Sequence, residues 1–150
     1  MADSEFKPAF GSRLLAGVAV GILWYSAISV VVVAGFLLAQ RVGSLPGIRA
    51  GAAIGLSLTL GAFGVGYYWS RRITSPIEET KIRVWTSTFI ISFGSVLVLT
   101  SIIAAVAVSP DFVQLTIAYG GVHLVALTGG VITAQWRSRT QNTSDSNGEP

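Results

Sequence analysis

Hydrophobic and polar positions alternate along this chain in long blocks, and no residue-by-residue alternation is present. Four runs carry no charged residue: Leu14–Gln40, Ala50–Ser70, Val84–Val108 and Phe112–Trp136. A helix rising 1.5 Å per residue needs about 20 residues to cross a ~30 Å hydrocarbon core. Each run is long enough. A membrane β-barrel would need segments of about 10 alternating residues, and the sequence has none. The valine block Val30–Val33 does not argue for a strand. In lipid a helix satisfies its own backbone hydrogen bonds, whereas an open sheet does not. The pattern predicts an all-α integral membrane protein, a four-transmembrane-helix antiparallel bundle. The transmembrane domain fills residues 1–139, with spans at about 14–40, 50–70, 84–108 and 112–136.

The breaks between runs carry their own signals. Ser109-Pro110-Asp111 divides the last two runs. Ser109 suits a helix cap, Pro110 a first helical position and Asp111 the positive helix end, which together predict a tight hairpin. Ser75-Pro76-Ile77-Glu78 fits a capping box and predicts that the third helix starts about two turns before its apolar run. The first run is too long for the apolar stretch of a signal peptide and is read as a retained span. The tail from Thr140 to Pro150 is polar and is expected to be disordered.

Composition supports the lipid reading. The chain has 150 residues and 51% hydrophobic content, but only 11% is charged. A soluble domain carries roughly 25%. The charges also set direction. Four crossings place the N-terminus, the second loop and the C-terminus on one side, with Lys7, Arg13, Arg71, Arg72, Lys81, Arg83, Arg137 and Arg139. Only Arg41 and Arg49 fall on the other. Lys/Arg-rich short loops stay in the cytoplasm, so both termini are expected there, in the cell membrane. Trp69, Trp85 and Trp136 mark the same ends, where amphipathic rings prefer to lie. The basic residues form no stripe, so nucleic acid is not an expected partner. The loop Ser70–Arg83 reads as topology-setting charge on a solvated helix start, or as a docking site for a partner or anionic lipid.

Candidate chemistry is sparse. There is no cysteine, and none of the four runs holds a carboxylate. The one histidine, His123, lies at the centre of the fourth run. A metal site needs about three protein ligands, and a proton relay or catalytic triad needs an acid. No catalytic residue, metal or cofactor is expected, and the chain is not expected to be an enzyme. Depth along the runs places Tyr25, Ser26, Ser29, Thr59, Ser95 and His123 in one mid-membrane polar layer. On its own helix His123 shares a stripe with Thr116, Tyr119, Gly120, Leu127 and Gly130. Trp24 and Tyr25 sit mid-run and are expected to pack inward beside it. Thr88, Ser92 and Ser95 fall on one face of the third helix.

Small residues are the other signal. Gly17 and Gly21 are four apart, as are Gly51 and Gly55, and Gly130 lies on the His123 stripe. Such rows let helices approach closely, either within the bundle or at an oligomer face. Two functions fit. One is a non-enzymatic scaffold or accessory subunit acting through helix packing, with the bilayer and a membrane-protein partner or a second copy around it. The other is a small oligomeric channel or permease with the His123 layer lining its path.

Overall fold

The computed structural model describes residues 6–42, 48–108 and 111–146. The chain is all-helical: α1 (Phe10–Val42), α2 (Ile48–Trp69), a short 3-10 turn (Ser70–Arg72), α3 (Pro76–Ala107) and α4 (Phe112–Ser146). Three segments are long and apolar enough to cross a membrane: Phe10–Leu37, Pro76–Ala107 and Phe112–Thr140. Residues 43–47, between α1 and α2, and 109–110, between α3 and α4, lie outside the described residues.

Helix ends follow local backbone chemistry and not the edge of the uncharged run. Ser75 caps α3, its hydroxyl accepting from Glu78 N at 3.2 Å, with Pro76 at the first position. The Glu78 carboxylate completes the cap one residue earlier than a capping box does, accepting from Thr74 N at 3.1 Å and Thr74 Oγ1 at 3.2 Å. Asp111 caps α4, its carboxylate accepting from Gln114 N at 3.3 Å and its carbonyl from Leu115 N at 2.9 Å. The sequence placed that cap two residues earlier, at Ser109. At its far end α4 continues to Ser146, so the segment expected to be disordered from residue 140 begins as helix. No proline or glycine interrupts it there, and Thr140 bonds back to Arg137 O at 2.9 Å.

α1 is the central element. Among the described residues α2 packs only against α1 and the turn that follows α2, while α1, α3 and α4 pack mutually. The α1–α2 seam is built on missing side chains. A Cβ on Gly17 would meet the Phe63 ring at 3.0 Å, and one on Gly66 would meet Val20 at 2.8 Å and the Ala16 carbonyl at 2.9 Å. On the other side Trp85 stacks on Phe89 at 5.5 Å, and Phe89 tilts against Phe93 at 5.9 Å. That aromatic ladder fits against α4 where Gly130, Ala126 and Ala134 leave room.

Beside Phe89, Phe93 and several alanines the interior holds many polar side chains, and large aliphatic ones face outward. Ser12, Ser26, Ser29, Ser70, Thr86, Thr88 and His123 are buried, while Val31, Leu60, Val65, Ile91, Leu99, Val106, Ile117 and Ile132 are exposed. Large aliphatic side chains outside and small or hydroxyl side chains inside suit a hydrocarbon solvent, where close backbone approach holds helices together.

Two contacts tie the start of α1 to the rest. Glu79 Oε1 accepts from Ser12 Oγ at 2.6 Å and Ala9 N at 2.9 Å. The Arg13 guanidinium lies 4.3 Å from the Tyr67 ring centre, a cation–π contact that compensates in part for Nε and Nη2, which are buried without a hydrogen bond among the described residues.

A polar cluster on helices one and four

The histidine is 7% exposed, on the face of α4 turned toward α1. Its Nδ1 stands 2.9 Å from the Tyr119 carbonyl, one turn back on the same helix. A carbonyl can only accept, so Nδ1 is the donor in this contact. The Tyr119 ring lies 4.3 Å from the imidazole and the Tyr25 ring 5.6 Å. The Tyr25 and Tyr119 hydroxyls share a 2.6 Å hydrogen bond between α1 and α4. Ser29 Oγ donates to the Tyr25 carbonyl at 2.9 Å and sits 3.4 Å from the Tyr119 hydroxyl. Gly120 brings the helices together at this level, since a Cβ there would lie 3.0–3.2 Å from Val33.

Of the six layer residues, Tyr25, Ser29 and His123 come together. Ser26 is fully buried on the same helix, and its hydroxyl makes no hydrogen bond among the described residues. Thr59 does not join them: it bonds to Gly55 O at 2.8 Å, on a helix that among the described residues packs against α1 and the turn after α2, and not against α4. Ser95 is exposed and bonds to Ile91 O at 2.9 Å. The residue that replaces them is Tyr119, which the 100° stripe through His123 contained but the depth ranking did not. Trp24 points outward, and only Tyr25 reaches the histidine.

The hydroxyls of α3 are likewise turned back on their own helix. Thr86 bonds to Ile82 O at 2.8 Å and Thr100 to Val96 O at 2.6 Å. Along the Thr88, Ser92, Ser95 face, burial falls from buried through intermediate to exposed. These groups form no continuous polar line.

The glycines read from spacing serve contacts within the chain. Gly17 and Gly21 face Phe63, Gly55 faces Ile28 and Gly130 faces Phe89 and Phe93. The surroundings of Gly51 lie outside the described residues. Gly66 and Gly120, neither of which has a glycine four residues away, make approaches as close as these. Among the described residues no group of three His, Cys, Asp or Glu side chains could hold a metal ion. Comparison with protein families, with characterised proteins and with solved structures finds no match to this chain.

Proposed function

We propose that this chain is a four-span protein of the cell membrane, with both termini in the cytoplasm, that works as a non-enzymatic scaffold or accessory subunit. The supporting observation is how its mid-span polar groups are engaged. Tyr25, Ser29, Tyr119 and His123 bond to one another or to their own backbone, which fixes the α1–α4 contact and leaves no acid–base chain. A hydrogen bond between two helices in lipid helps to hold their packing. α2, which among the described residues packs only on α1 and the turn that follows it, turns Leu58, Leu60, Val65 and Tyr68 outward, a side free to meet a partner's helix. Purified chain reconstituted into liposomes is expected to pass ions and small solutes no faster than empty vesicles do. A flux above that control would overturn the proposal.

One observation favours the second reading, a small oligomeric channel. Tyr25 and Tyr119 carry hydroxyls at mid-span yet are 42% and 43% exposed, and Ser26 is buried with its hydroxyl unbonded. In an oligomer those groups would border a shared polar path. The flux would then change in His123→Ala and between about pH 5 and pH 7. A flux unaltered by both removes His123 from the path.

A further inference from the structure

Three depressions meet at Trp69, the last residue of α2. The first, about 470 Å³, follows the outer face of α2 past Val65, Gly64 and Gly61 and ends at Arg72. Nothing stands within 4 Å of a Cβ at Gly61 or Gly64, so the missing side chains leave an open trough. The second, about 300 Å³, enters between α1 and α3, floored by Ala16, Ala19 and Val20, walled by Trp85, with Lys81 at its mouth. The third, about 340 Å³, joins them and is lined by both Arg72 and Lys81.

The directions of the two arms are informative. From Trp69 to Gly61 the α2 trough covers eight residues, roughly 12 Å of helix at 1.5 Å per residue, leading away from the charged loop into the apolar span. The α1–α3 arm also leads inward from that loop, beside Ile82 and Thr86. Two apolar troughs therefore descend from one cationic junction. Arg72 and Lys81 make no ion pair or hydrogen bond among the described residues. The one carboxylate there, Glu78, already accepts from Thr74, so the junction holds two cations against one acid.

We propose that this junction binds an anionic phospholipid, its phosphate between Arg72 and Lys81 and its two acyl chains in the troughs on either side of Trp69. Charge decides the class of ligand. A headgroup with net negative charge gains from both cations, whereas a zwitterionic one brings a cation of its own to the same place. The indole of Trp69 stands at the level where such rings meet headgroups. The inference requires this end of the helices to lie at a membrane surface. It is independent of whether the protein is a scaffold or a channel, and of which compartment that surface faces.

The test is native mass spectrometry of the full-length chain, purified in mild detergent and offered equal amounts of phosphatidylglycerol and phosphatidylcholine. Wild type is expected to retain one phosphatidylglycerol per chain in preference to phosphatidylcholine. Arg72→Gln with Lys81→Gln should weaken that retention at least about tenfold, in keeping with the loss of two interfacial cations. Lys7→Gln with Arg41→Gln, which removes the same charge elsewhere, should leave it unchanged. Glycerol phosphate, which lacks acyl chains, should not displace the lipid. Phosphatidylglycerol brominated on its acyl chains should quench Trp69 emission in a chain whose other tryptophans are Phe, and the Arg72/Lys81 variant should lose that quenching. Circular dichroism checks that each variant keeps its helices. Equal retention of both lipids, equal weakening in the two charge variants, or displacement by glycerol phosphate overturns the proposal.

Discussion

Gly66→Ala tests the packing logic at its tightest point. The new Cβ would lie 2.8 Å from Val20 Cβ and 2.9 Å from the Ala16 carbonyl oxygen, where carbon atoms prefer about 3.5–4.0 Å. Turning the valine moves its methyls but not its Cβ, and neither that Cβ nor the Ala16 carbonyl can move without the backbone of α1. The two helices must part by somewhat under about 1 Å, a gap that forfeits a quarter to a half of each contact along the seam. Overpacking of this kind costs about 1–3 kcal/mol. It falls on the only helix that α2 touches among the described residues. Gly64→Ala is the matched control, because it makes the same chemical change on the same helix and meets nothing within 4 Å. Gly17→Ala should fall between them, since its Cβ meets the edge of the Phe63 ring at 3.0 Å. The chain has no cysteine, so pairs of spin labels on α1 and α2 can be introduced freely. Their distance and the reversible unfolding of the protein in mixed micelles are the readouts. Gly66→Ala should widen the separation and destabilise by about 1–3 kcal/mol, with Gly64→Ala unchanged in both. Equal behaviour of the two variants would refute the α1–α2 register.

Three further outcomes follow from the same geometry. Tyr25→Phe and Tyr119→Phe should each weaken the α1–α4 contact by about 0.6 kcal/mol, and the double variant by little more, because both remove one shared bond; additive losses in a double-mutant cycle contradict this. Glu79 stands in the charged turns ahead of the third uncharged run. Hydrogen bonds from Ser12 and the Ala9 amide, with help from Arg83, hold its carboxyl below the usual carboxylate range. A lowered folded-state pKa means its contribution is present above the ordinary carboxylate value and is lost as pH falls through the lowered one. Hydrogen exchange at the Ala9 amide should therefore accelerate on acidification in wild type, beyond the intrinsic pH effect, but show no such change in Glu79→Gln. Ser75→Ala should fray the first turn of α3 at a cost of about 1 kcal/mol, read as faster amide exchange at Glu78.

Hydrophobic blocks alone locate all four helices, because a helix in an apolar run is the only local way to satisfy the backbone. Their ends are less legible. The start of α3 at Pro76 is the one that the Ser75-Pro76-Ile77-Glu78 pattern predicts, but α4 starts after Asp111 and not at Ser109, and it passes Trp136 because nothing breaks it. The polar cluster was half legible. Depth along each run puts Thr59 and Ser95 level with His123, but contact needs the right side of the helix as well. α2 lies beyond α1, and Ser95 faces out. Tyr119 was within reach of the sequence, four residues from His123 on one stripe. The Glu79–Ser12 bond, spanning 67 positions, left no local pattern at all. Gly66 gave no signal because its importance depends on the register of α1 against α2.

Membrane topology is the most direct test of the central claim. Single cysteines placed at Lys7, Ser75, Asp111 and Thr140 in this cysteine-free chain can be labelled with an impermeant maleimide in sealed vesicles of known orientation. Four crossings require Lys7, Ser75 and Thr140 to label together from the cytoplasmic face and Asp111 from the opposite one. Lys7 and Thr140 labelling from opposite faces, or a chain that stays in solution without detergent, would contradict it.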